Sequence, residues 1–153
     1  MYQLANSFEE TNNLGQVQND KQINTSYEQP EESYSEYTIG SLVSCLFEMR
    51  DNMHIQHFKT TSYATHMALD TLYKDIVDLV DSLVESWQGK YGIISGYTPI
   101  EIHEELDAVE YLKYKLEYIT EFRGTTKDSY ILSQLDIIEE LIYSSLYKLQ
   151  NLN

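Results

Sequence analysis

The chain has 153 residues, 42% of them hydrophobic and 23% charged, which suits one soluble domain with a substantial core. A formal net charge of −15, from 25 acids against 10 bases, repels phosphate backbones and disfavours nucleic acid as a partner. Charges interrupt every apolar stretch, so no membrane span is expected. The first residues lack a signal-peptide pattern and the one cysteine, Cys45, fits a reducing compartment. The expected location is therefore the cytoplasm, with a virion as the alternative.

Residues 1–36 are rich in Asn, Gln, Glu and Ser, and carry seven acids against Lys21 alone. The segment reads as a disordered acidic tail, able to dock an unknown protein. From residue 37 to 153 the pattern is helical. Ile39, Leu42, Val43, Leu46, Met49 and Met53 recur at three- and four-residue steps, which predicts a first helix over about 38–58. Ser62 is a good N-cap for a second helix over about 63–89, with Leu69, Leu72, Tyr73, Ile76, Leu79, Val80, Leu83 and Trp87 facing inward. Gly89, Gly92 and Gly96 end it. Thr98-Pro99-Ile100-Glu101 has the form of a capping box with proline at the first helical position and predicts a helix start there. Leu106, Val109, Leu112, Leu116 and Ile119 mark the third helix, closed near Gly124. Asp128 or Thr126 caps the fourth, whose face is Ile131, Leu135, Ile138, Ile142, Leu146 and Leu149. No segment alternates with period two, so the expected fold is all-α, an antiparallel four-helix bundle.

Helix two carries the chemistry. With His66 at zero on a helical wheel, Asp70 falls at about 40°, Asp81 at about 60° and Glu85 at about 100°. The apolar residues centre near 280°, so the four share one strip at the border of the core, interleaved with Val77 and Val84. His66 and Asp70 stand one turn apart and can grip one ion, as can Asp81 and Glu85. The pairs are separated by roughly 16 Å along the axis, too far for one ion. Two copies packed antiparallel about a two-fold axis between residues 75 and 76 bring each His66–Asp70 pair to the partner's Asp81–Glu85 pair. His57, on the apolar stripe at the end of the first helix, can approach the same place. Imidazole with carboxylates suits iron, with zinc and manganese as alternatives.

His57-Phe58, the run Ser62 to His66, then Asp70, Asp81 and Glu85 resemble the Dps family, the mini-ferritins. That family has His-Trp near the end of its first helix, His-x-x-x-Asp early in the second, and Asp-x-x-x-Glu eleven residues after the first Asp. The resemblance covers about residues 38–150 in helix order. It implies a ferritin-like bundle and a ferroxidase site of dimetal type. His57, His66 and Asp70 of one subunit would face Asp81 and Glu85 of the other. It also implies oxidation of Fe(II) by peroxide, storage of Fe(III) and assembly into a dimer or a twelve-subunit shell, with Phe58 or Tyr63 as the neighbouring aromatic. Several features depart from the family. Phe58 replaces tryptophan, the turn from His57 to His66 is shorter, and the tail is acidic where DNA-binding members are basic. Of the acids that line the family's ion-entry pore only Asp128 remains.

Two other readings compete. The bundle could serve as a structural or interaction protein, virion-associated, using its tail for docking. Or the acids are merely a solvated face, in which case Asp81 and Glu85 are exposed and remote from any partner His66.

Overall fold

The computed structural model describes residues 37–152, so the expected tail, residues 1–36, lies outside the described residues. Four helices account for most of the described chain: α1 (Ile39–Lys59), α2 (Tyr63–Tyr91), α3 (Ala108–Arg123) and α4 (Ser129–Asn151). Among the described residues there is no strand, and no helix is long and apolar enough to cross a membrane.

Local chemistry sets the helix ends. The Thr38 hydroxyl accepts from the Ser41 amide at 3.1 Å while the Ser41 hydroxyl accepts from the Thr38 amide at 2.9 Å, a reciprocal cap on α1. Ser62 Oγ accepts from the Thr65 amide at 3.2 Å at the start of α2, as its side chain predicts. Gly92, at φ 88°, adopts a backbone that favours glycine and stops α2. Asp107 caps α3 by accepting from the Val109 and Glu110 amides, both at 2.9 Å. The helix expected at Thr98-Pro99-Ile100-Glu101 does not form, and residues 92–107 are irregular. The reason is tertiary: the Thr98 amide goes to Ser44 Oγ at 2.9 Å, and the Glu101 amide points at the Glu48 carboxylate at 3.5 Å. Groups that would have closed a capping box are used to dock the segment on α1.

That docking fixes the topology. Ser44, Glu48, Asn52 and Gln56 repeat every four residues and form one polar row along α1. Asn52, with no solvent exposure, accepts from the His103 amide at 2.7 Å and donates to the Glu101 carbonyl at 2.8 Å. Gln56 donates to the Glu104 carbonyl at 3.2 Å. The segment 92–107 thus climbs the full length of α1, from Gly40 beside Ser95 and Gly96 to Lys59 beside Glu104. It delivers α3 to the end of the bundle where α2 began. α2 and α3 therefore run parallel, and the order is up-down-down-up with one long crossover. α1 packs on α2 and α3, and α4 packs on α2 and α3.

One continuous core fills the space between the four helices. Leu42, Leu46, Met49 and Met53 meet Leu69, Leu72, Ile76, Val80 and Leu83, and across from them Leu112, Ile119, Phe122, Ile131, Leu135, Ile138 and Ile142. All but Phe122 belong to the stripes expected from the sequence. Burying each such side chain contributes about 1.5–3 kcal/mol. Cys45 is buried, as expected, and burial pushes its thiol up to about 11, so it is protonated and unreactive at neutral pH.

Candidate metal centre

The turn 60–62 reverses the chain between α1 and α2 and sets His57 against His66. Their rings stack with centroids 3.7 Å apart. His57 Nδ1 donates to the His66 carbonyl at 3.0 Å, and His66 Nδ1 donates to the His57 carbonyl at 3.2 Å. A carbonyl only accepts, so each Nδ1 carries a proton and Nε2 is the ring nitrogen left for another partner. Backbone carbonyls orient metal-binding histidines in this way. The same bond also serves the fold, because the His57 carbonyl lies in the last turn of α1, where helical partners run out.

Asp70 completes the group. One of its carboxylate oxygens lies 3.9 Å from His57 Nε2. That is too long for a direct hydrogen bond, but ligands on one ion at about 2 Å each stand up to about 4 Å apart. Asp70 also accepts from the Tyr73 hydroxyl at 2.9 Å and from the Lys74 ammonium at 2.8 Å. Lys74 and then Tyr73 hold its carboxyl below the ordinary carboxylate range. His57 is buried, while His66 and Asp70 are half-buried and so reachable from outside.

The second pair lies elsewhere. Asp81 and Glu85 are exposed on the other half of α2 and, among the described residues, make no ion pair within the chain. Val77 and Val84 beside them are half-buried. Among the described residues no three His, Cys, Asp or Glu side chains of a single chain gather closely enough to hold a metal ion. His57, His66 and Asp70 come together at the α1–α2 turn, and the shorter turn does not keep His57 from His66.

Sequence reasoning assigned the neighbouring aromatic differently. Phe58 is 68% exposed, with its ring 5.4 Å from that of His57, and Tyr63 is 79% exposed. The aromatic at the site is Tyr73, whose hydroxyl bonds Asp70 and whose ring stacks on His54 at 3.9 Å. Its position three residues after Asp70 was the available signal, since that spacing places it on the same helical face.

A second cluster, absent from the sequence reading, lies between α1, the crossover and α3. Lys115 is buried, and its ammonium pairs with Glu48 at 2.5 Å. The Tyr111 hydroxyl donates to the same carboxylate oxygen at 3.1 Å. Burial alone would raise the Glu48 carboxyl, but the Lys115 bond and charge, with Tyr111, bring it below its ordinary value.

A family model described as a family of unknown function (DUF5856) matches residues 57–149, more than half of the chain and all five candidate ligands. No curated protein and no solved structure matches.

Proposed function

We propose, for a chain that belongs to this family of unknown function, a ferritin-like bundle that pairs about a two-fold axis and binds and oxidises iron between its subunits. The observation that carries this reading is the reciprocal pair of Nδ1-to-carbonyl bonds, which leaves Nε2 of each histidine for another partner, that of His57 3.9 Å from Asp70. The up-down-down-up order with one long crossover supports the ferritin-like assignment, because bundles of that class have one such connection.

In this reading iron is the substrate. His57, His66 and Asp70 of one subunit supply two imidazole nitrogens and a carboxylate, and Asp81 and Glu85 of the partner subunit supply two more carboxylates. Hard oxygen donors stabilise Fe(III) over Fe(II), which lowers the cost of oxidation. Two Fe(II) give one electron each to hydrogen peroxide, its O–O bond breaks, and two protons convert the products to two waters. The acidic chain, at −15, draws cations toward the strip.

The test is anaerobic Fe(II) titration of the protein, then peroxide, with absorbance following Fe(III). Saturable binding and fast oxidation that vanish in an Asp70→Ala, Glu85→Ala variant would support the site. Behaviour identical to that variant and to iron in buffer would refute it.

A second reading has its own observation. Lys74 and Tyr73 already satisfy Asp70, and the two histidine bonds already close the α1–α2 turn. The group would then be a clasp in a structural or interaction protein. That reading predicts that metals do not shift the melting temperature.

A further inference from the structure

The polar cluster around Lys115 opens into a cavity of about 640 Å³, within the size range of small-molecule sites. α1, the crossover and α3 wall it, and Lys115 and Glu48 lie at its floor.

Three features describe what it would hold. First, the wall is aromatic: Tyr111 and Tyr114 line it, and the Lys115 ammonium sits 4.8 Å and 5.5 Å from their ring centroids. The ring faces are therefore turned inward and already accommodate one ammonium. Second, the lining is acidic overall. Glu48, Glu101 and Glu105 outnumber Lys115 and Lys59, which pairs with the exposed Glu105 at 3.6 Å, and this disfavours anions. Third, the Glu48–Lys115 pair is weak evidence for stability alone, since a buried ion pair is commonly matched by an apolar pair of equal volume. It does hold a charged carboxylate at the bottom of an aromatic pocket.

We propose that this cavity binds a small organic amine in its ammonium form, with the cation over the Tyr114 ring and paired with carboxylates at the mouth. The site is independent of the α2 strip, and its occupancy needs neither iron nor pairing.

The experiment is isothermal titration of the full chain with benzylamine, with benzyl alcohol and benzoate as neutral and anionic comparators. One-to-one saturable binding of the amine is expected, at least about tenfold tighter than the alcohol, with no binding of benzoate. Tyr114→Ala and Glu105→Gln each weaken it by about three- to tenfold. Both positions are exposed, so these variants keep the fold. A Glu140→Gln variant removes the same charge as Glu105→Gln from α4, which does not wall the cavity, and leaves binding unchanged. Equal loss in that variant means general attraction to an acidic protein and overturns the proposal. So does equal binding of the alcohol, or no amine binding at all.

Discussion

The shared site can be tested by complementation, because neither subunit of a mixed pair need be whole. One variant, His66→Gln with Asp70→Asn, loses the donors at the α1–α2 turn. The other, Asp81→Asn with Glu85→Gln, loses the exposed pair on the second half of α2. Eleven residues from Asp70 to Asp81 make roughly 16 Å, so within one chain neither variant can repair itself. Each protein alone is expected to bind Fe(II) at most weakly at the site and to leave peroxide-driven oxidation at the rate of iron in buffer. Mixed, dissociated and reassociated, random pairing makes about half of the dimers mixed, by the symmetry of a two-fold interface. A mixed dimer has one site with every donor present and one site without His66, Asp70, Asp81 and Glu85. The mixture should therefore regain about one quarter of the sites of the unmodified protein, read from the endpoint of an anaerobic Fe(II) titration. Recovery in the mixture with none in either parent has no single-chain explanation. Full binding in either parent refutes the shared geometry, and so does a mixture no better than its parents when light scattering confirms exchange.

Three further outcomes follow from the fold. Lys115→Met strands the Glu48 carboxylate under the crossover and should cost about 3 kcal/mol, the lower end for a broken buried pair because Glu48 keeps 16% side-chain exposure. In thermal unfolding that is a fall of about 12 °C, most of it recovered in a Glu48→Gln, Lys115→Met double variant; no recovery would mean that charge is not the cause. The folded-state carboxyl of Glu48 lies below its ordinary 4.5, so its stabilisation is present above that pH and is lost as pH falls through the folded value. The urea midpoint should therefore drop below about pH 4.5, and less steeply in Glu48→Gln, which a pH series of unfolding curves measures. Gly40→Ala would drive a Cβ into the Ser95 carbonyl oxygen, so the crossover must move, at about 1–3 kcal/mol. Faster hydrogen exchange at the Thr98 and His103 amides checks this, because both are held by side chains of α1.

The helices were legible because their apolar residues obey one period, and burial at Leu42, Leu46, Leu72, Ile76, Ile138 and Ile142 follows that period. The crossover was not. Ser44, Glu48, Asn52 and Gln56 are ordinary polar residues one turn apart, and nothing local distinguishes side chains that bond water from side chains that bond a distant backbone. Thr98 and Pro99 were misread for the same reason: a capping box is a local preference, and four contacts to α1 outweigh it. At the site, the one-turn spacing of His66 and Asp70 was visible from sequence. The carbonyl bonds that orient the two histidine rings depend on how tightly the α1–α2 turn closes, which spacing does not encode. Tyr73 was taken as core because it falls near the apolar stripe. Its hydroxyl draws it instead to the border, where Asp70 accepts its proton.

The Lys74–Asp70 pair bears on both readings of the site, since a metal must compete with Lys74 for the carboxylate. The pair is an exposed one between residues i and i+4, and such pairs contribute only about 0.3–0.5 kcal/mol. Lys74 is thus a weak competitor beside a divalent ion with two imidazoles in reach. Under the proposed two-fold pairing, residues whose numbers sum to 151 face each other. Lys74 then lies opposite Val77 of the partner subunit, one turn from Asp81 of the partner subunit, where a displaced ammonium meets new acids. Pairing would in this way withdraw Lys74 from Asp70 while bringing up the missing carboxylates. Lys74→Gln should then tighten metal binding in any unpaired chain and change it little in the dimer. If Lys74 instead belongs to a structural clasp, the same substitution lowers the melting temperature and leaves metal titrations unaltered.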